Sequence, residues 1–399
     1  MLLTAFVFLL ILSLLVLIHE FGHFIMAKKF NIKVEEFGYG LPPRLWGKKI
    51  GETIYSINWL PIGGFVKLYG EDEAGAGAVK IPQSKLPKKN LDRAFFTRPV
   101  RQRAAVVVAG VVMNVLLAIF IYYIFLGISG FKTNIPLFPG TKDFTFIGAN
   151  QEVKVKSFII NNIAPNSPAE KAGLTGCSEK SCLAITKVNG EPIKDIKSFT
   201  NFIQEHKGEK LRFEFTDLIT GEKMEKVIIP RENPPKDQGA LGIQFSADEY
   251  FVVRYDTFTQ RLVSGIVHPL SLFIYQFDLL KKLVAISIQE RSAEPLGTAV
   301  SGPVGIISVV GDIGKFPEIK ERILGWLNLA GMLSISLAFF NILPIPALDG
   351  GRLFFILIEG ISGRKINPKY EALAHTVGMA LLLTLILLVT FKDIFQFLL

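Results

Sequence analysis

His19-Glu20-Phe21-Gly22-His23 sets two histidines four positions apart, so on a helix both imidazoles share one face and can hold one zinc ion. Glu20, between them, is placed to take a proton from water at that ion, the general-base role of a hydrolytic metal site. The pattern sits in an apolar run: Met1 to Ile18 carries no charge, and apolar residues resume at Phe24. Ionisable groups in such a run are costly and default to function. A catalytic zinc takes three protein ligands and keeps one position open, so a third donor must lie elsewhere. Asp349 is the candidate. Pro344 and Pro346 before it cannot continue an ideal helix, and Gly350 and Gly351 after it permit a close turn. Irregular backbone inside an apolar region is tolerated only where protein or a cavity surrounds it. The plainer alternative is that Asp349 caps a helix starting at Gly350.

The elements that must position these residues are read from composition. Of 399 residues 50% are hydrophobic and only 20% charged, which argues against a soluble single domain, and 33 Phe exclude disorder. Four runs are long enough to span a bilayer: 1–27, 104–131, 324–348 and 372–391. A cleaved signal peptide would need a basic leader and a small-residue cleavage site, which the first run lacks. The formal charge of +9 would suit nucleic acid, but segment 28–103 alone holds 15 basic and 7 acidic residues. The excess is therefore a topology signal placing that loop in the cytoplasm, and nucleic-acid binding loses its support. It follows that the N-terminus is outside, 132–323 is outside, and the short loop with Arg352, Arg364, Lys365 and Lys369 is inside. Both halves of the proposed zinc site then fall towards the cytoplasm.

Within the outside segment, residues 155–232 alternate apolar and polar positions between turn signals at Asn189-Gly190 and Thr220-Gly221. A helix is expected over 196–206. Residues 233–323 form a linker whose apolar stretch 262–288 is broken by His268-Pro269, Asp278 and Lys281-Lys282. That pattern predicts an interfacial amphipathic helix in preference to a fifth span. In the cytoplasmic loop, Ile54–Asn58 and Ile62–Tyr69 are expected to pair as a hairpin through Trp59-Leu60-Pro61. Its edge could capture an unwound peptide by strand addition, or the hairpin could simply plug the site's mouth.

The H-E-F-G-H stretch, taken together with Asn341, Pro344, Pro346, Leu348, Asp349, Gly350 and Gly351, resembles the site-2 protease family of intramembrane zinc metalloproteases. Within it the chain resembles the bacterial regulator-of-sigma-E protease group. The resemblance implies one zinc ion held by His19, His23 and Asp349, Glu20 as general base, and Asn341 as a hydrogen-bonding partner of the substrate backbone. Gly63, Gly64 and Phe65 match the family's hairpin stretch, which assigns them to substrate binding. Gly38 to Pro43 and Ser301 to Ile306 are similar to further family segments. Ala109-Gly110-Val111-Val112-Met113-Asn114 departs from the family pattern by having Val111 where proline is usual. Asn114 in an apolar helix reads first as helix-to-helix glue, with a functional contact as the alternative, and His375 first as a packing residue. Pro168 to Leu174 and Ile185 to Gly190 resemble blocks of a PDZ domain, between which this chain inserts Cys177 and Cys182. On the oxidising side of a membrane these could form a disulfide; two free thiols are the alternative.

The expectation is thus a multi-pass α-helical membrane protein with four transmembrane helices, a cytoplasmic membrane-associated β-hairpin and an extracytoplasmic α+β PDZ-like domain in a bacterial cytoplasmic membrane. Its expected partners are lipid, single-span membrane proteins already trimmed outside, and a peptide in the PDZ-like groove, which could instead act as a size filter. The implied substrates are anti-sigma factors or remnant signal peptides. A non-catalytic scaffold or a small transporter would be the competing classes; the intact zinc motif opposes the first, and the lack of visible inverted repeats the second.

Overall fold

The computed structural model describes residues 2–71, 88–138, 140–178, 181–236, 238–292, 296, 297, 301–364 and 366–398. Residues 72–87, within the predicted cytoplasmic loop, and 293–295 and 298–300, within the predicted linker, lie outside that description. Two compact units divide the chain, one ending at Phe131 and resuming from Thr257 to Ile394, the other built on Lys132–Asp256.

The first unit starts with α1 (Leu2–Lys29), which carries the His/Glu cluster in its last third and ends on Lys28 and Lys29. A hairpin follows, β1 (Val34–Ile50) and β2 (Thr53–Leu68), and then α2 (Val100–Ile128). Contrary to the expected pairing, Ile54–Asn58 and Ile62–Tyr69 do not pair with each other. Up to Leu68 they belong to one long strand that pairs with β1, and the turn falls at Gly51, where φ is +64° and glycine meets no steric cost. Segment 36–39 is matched on one side by 64–67 and on the other by 54–57, while 44–50 pairs with 53–58. The ribbon therefore curls into four lanes, with 64–68 along one edge. Glu52 at the turn accepts from Lys28 Nζ at 2.7 Å and from Arg93 at 2.7 and 2.8 Å, tying hairpin to helix end. These bonds, those of Arg93 foremost, hold its carboxyl down to about 2.

The second unit is one antiparallel sheet of seven strands: β3 (Lys132–Pro136), β4 (Asn150–Ile163), β5 (Leu183–Val188), β6 (Glu191–Pro192), β7 (Leu211–Asp217), β8 (Lys223–Ile228) and β9 (Ile243–Arg254). Its order is β3-β9-β4-β5-β7-β8, with β6 beside β5, so strands outside 155–232 complete the sheet. A short α3 (Pro168–Lys171) is capped by Ser167, and α4 (Ile196–Glu205) by Asp195. The amphipathic face of α4 buries Phe199 and Ile203, and Phe199 meets Phe158 at a tilt and Phe245 edge-on, at 4.8 and 5.5 Å between ring centroids. Cys177 and Cys182 are joined in a disulfide.

The chain then returns through α5 (Phe258–Glu290), a continuous 33-residue helix despite Pro269. An interfacial amphipathic helix was expected over 262–288, and α5 packs on its neighbours along that stretch. Gly265 leaves room for the Tyr123 ring of α2, and Phe277 meets Phe339 of α7 (Ile319–Ile342) at 4.6 Å. With α9 (Pro368–Leu398), five helices among the described residues are long and apolar enough to cross a membrane, one more than expected. Between α5 and α7 lies α6 (Pro303–Gly314). The backbone N–H groups of Gly302 and Gly305 at its start donate to Asp393 Oδ2 of α9 at 2.9 and 2.8 Å. Between α7 and α9 runs α8 (Asp349–Ser362).

Candidate metal centre

Three atoms converge from two distant parts of the chain. His19 Nε2 and Asp349 Oδ2 lie 3.0 Å apart, His23 Nε2 and Asp349 Oδ2 3.1 Å, and the two Nε2 atoms 3.2 Å. Zinc with ligand distances of about 2.0–2.1 Å in a tetrahedral site sets its ligand atoms about 3.3 Å apart. The triangle is therefore one face of such a site, slightly contracted, and a zinc ion fits it. The donor set of two imidazoles and one carboxylate also suits zinc chemically.

The approach of α1 to α2 makes this possible. A side chain at Gly22 would overlap the Ala109 carbonyl, so the two backbones touch there. At Gly110 a Cβ would lie 2.5 Å from His23 Nε2 and 2.7 Å from His19 Cε1, so both rings rest on bare backbone. His23 Nδ1 is 2.9 Å from the Val106 carbonyl. A carbonyl can only accept, so Nδ1 carries the proton and the Nε2 lone pair is left for the ion. His19 Nδ1 lies 3.1 Å from the side-chain amide of Asn114, which is wholly buried. The sequence left Asn114 open between glue and contact; its backbone carbonyl also accepts from Ser334 Oγ at 2.8 Å.

Asp349 arrives by a different device. After α7 stops at Ile342, Pro344 and Pro346 keep the chain irregular until α8 begins. Gly350 and Gly351 pack on the carbonyls of Leu343 and Ile345, where any side chain would collide. Ala347 takes φ +81°, a left-handed conformation unfavourable for a residue with a Cβ, and its N–H donates to His375 Nδ1 of α9 at 2.9 Å. The helix-capping alternative does not describe Asp349: it occupies the first turn of α8, no side-chain cap bond is made there, and its carboxylate faces the histidines.

A cavity of about 450 Å³ opens beside the triangle, lined by Glu20, His23 and Asp349 together with Gly64–Leu68 of the ribbon edge. Of the predicted substrate-binding residues, Gly64 and Phe65 belong to that wall. Gly63, with φ +85°, and Asn341, buried in α7, do not. Glu20 packs beside Gly64, where a Cβ would lie 3.4 Å from Glu20 Cγ. Arg352 and Glu71, paired at 2.6 Å, close one side of the cavity. Neither was singled out for that role from sequence, since only the contact reveals a partner 281 positions away.

Apolar helices enclosing two histidines, an aspartate and a neighbouring glutamate define the class, an integral membrane metalloprotease. The chain belongs to peptidase family M50, the site-2 proteases, whose sequence profile it matches over residues 7–385. It is similar to a provisionally named zinc metalloprotease of Clostridium perfringens, with 34% identity covering 96% of each chain. A second relative so named, from Fusobacterium nucleatum, is 30% identical over 96% of both chains. Zinc metalloprotease RasP of Oceanobacillus iheyensis is 26% identical over 98% of both. Zinc is the metal that these relatives' names specify.

Proposed function

We propose that the protein is an intramembrane zinc endopeptidase that hydrolyses peptide bonds within or near transmembrane segments of other membrane proteins. The observation that carries this reading is the triangle of His19 Nε2, His23 Nε2 and Asp349 Oδ2, with Glu20 on the same cavity wall. His19, His23 and Asp349 would hold zinc, which when bound supplies a Lewis acid at the scissile carbonyl. Glu20 takes the proton of the attacking water as its oxygen bonds to the carbonyl carbon, and passes that proton to the amine nitrogen as the C–N bond breaks.

The edge at Gly64–Leu68 offers main-chain groups to an extended substrate beside Glu20, so an unwound helix segment can be held by strand addition. Asn341 is kept as a backbone-binding candidate on family resemblance alone. The basic residues of 28–103 support a cytoplasmic position for ribbon and metal centre, with the seven-stranded unit outside. That unit we read as PDZ-like, screening or binding the outer part of a substrate. Anti-sigma factors and remnant signal peptides are the substrate classes favoured by the resemblance.

The experiment is to purify the protein, measure zinc per chain and follow cleavage of a synthetic transmembrane segment. Bound zinc, with cleavage that Glu20→Gln lowers by about 10²- to 10⁴-fold while zinc is retained, supports the reading. A metal-free protein that cleaves nothing after zinc is added back overturns it.

A further inference from the structure

The two histidines are held from behind in different ways. His23 has the Val106 carbonyl at Nδ1, an acceptor that fixes its tautomer. His19 has the amide of Asn114 there, at 3.1 Å, and an amide can present either an acceptor oxygen or a donor nitrogen. With Nδ2 towards the ring, Oδ1 is buried without a hydrogen-bond partner, and the neutral imidazole must carry its proton on Nε2, facing Asp349. That tautomer cannot ligate a metal through Nε2. Turned by 180° about its last side-chain bond, the amide keeps its shape and brings Oδ1 to Nδ1, where it accepts the ring N–H and frees the Nε2 lone pair.

We infer that Asn114 is a positioning residue of the metal centre: through Oδ1 it holds His19 in the tautomer and ring orientation that a metal ion requires. The inference rests on the zinc reading of the site and adds to it the means by which α2 selects the tautomer at both histidines, by a main-chain oxygen at one and a side-chain oxygen at the other. Burial sharpens the requirement. Asn114 has no exposed surface and His19 is only 7% exposed, so water is a poor substitute for the lost acceptor.

The test compares Asn114→Leu, close in shape but without an acceptor, with Asn114→Asp, which keeps one. Zinc affinity is measured on the full chain in detergent by competition with a chromophoric chelator, alongside the visible spectrum of the cobalt-loaded protein. Asn114→Leu is expected to weaken zinc binding about 10- to 100-fold, the usual loss for a partner behind a ligating histidine, and to alter the cobalt spectrum. Asn114→Asp is expected to restore most of the affinity. A role in helix packing alone would shift the melting temperature of the chelator-stripped protein without this split between the two variants. Should the leucine variant fail to fold, Asn114→Ala against Asn114→Asp carries the same comparison. Wild-type zinc affinity in Asn114→Leu, or no recovery in a folded Asn114→Asp, overturns the inference and leaves the zinc reading standing. Wild-type protein that binds no zinc defeats the zinc reading itself.

Discussion

Asp349 Oδ2 stands 3.0 Å from His19 Nε2 although 330 positions separate the two residues in the chain. Three lone-pair-bearing atoms this close demand a cation or protons between them. Removing any corner should therefore remove the ion: His19→Ala, His23→Ala and Asp349→Ala are each expected to reduce bound zinc from about one per chain to a small fraction, and to abolish cleavage. Metal analysis of the purified variants checks this. Full occupancy in any one of them would take that residue off the ligand set.

Gly110 sets how closely the two metal-binding rings approach α2. Alanine there puts a methyl group about 2.5 Å from His23 Nε2, closer than real contacts allow, and the rings must move apart. The gain of about 1 kcal/mol in helix propensity is offset by an overpacking cost of about 1–3 kcal/mol. Gly110→Ala is thus expected to bind zinc at least about ten times more weakly, as ligand-shell disturbances typically do; zinc competition against a chelator measures this. Tight zinc binding by the variant would mean that the rings have room to spare, contrary to the packing described above.

How much of this was legible in the sequence follows from the range of each signal. The His/Glu cluster is local, because helical periodicity alone sets His19 and His23 on one face. Asp349 could be nominated from its prolines and glycines, whose purpose the close packing of Gly350 and Gly351 on the preceding carbonyls then explains. The ribbon was misread because Trp59-Leu60-Pro61 looks like a turn, whereas the tighter signal, Gly51 at positive φ, lay just upstream. The α5 stretch read as an interfacial helix because His268-Pro269, Asp278 and Lys281-Lys282 interrupt it, and nothing local indicates that Tyr123 and Phe339 cover its sides. The Ser301–Ile306 segment was recognisable without a reason. Asp393, which accepts two N–H groups at the start of α6, is the kind of partner no sequence window contains.

His375 was left as a packing residue, and the structure ties it to the backbone that delivers Asp349. Losing the acceptor for the Ala347 N–H leaves a part-buried donor unpaired, a cost of about 1 kcal/mol, and frees a residue held at φ +81°. His375→Leu should therefore lower both the melting temperature and the zinc affinity. Adding Ala347→Gly should recover about as much stability, because glycine adopts positive φ without the Cβ penalty. Thermal melts of the single and double variants in one detergent test the pair. An unperturbed single variant would show that the Asp349 loop does not need this bond.

The seven-stranded unit contains a carboxylate whose fold-dependent ionisation gives a pH prediction. Asp217 is 4% exposed, and burial alone would raise its pKa. Its oxygens nevertheless accept from Ser181 Oγ at 2.6 Å and from the backbone N–H groups of Ile219, Thr220 and Cys182. These bonds favour the charged form enough to hold the carboxyl below its usual range. A group with a depressed folded pKa stabilises fully above its unfolded value of about 3.9 and loses that contribution as the pH falls through the folded value. Asp217→Asn removes the charge at every pH, so it should be less stable than wild type at pH 7 by about 1–3 kcal/mol. The gap should close on acidification below about pH 4 as the wild-type carboxylate takes up its proton. Urea unfolding of the full chain, followed by β-sheet circular dichroism at pH 7, 5 and 3, measures that gap directly. A gap that stays constant across the three pH values would mean that Asp217 acts through shape and neutral hydrogen bonds, with no contribution from its charge.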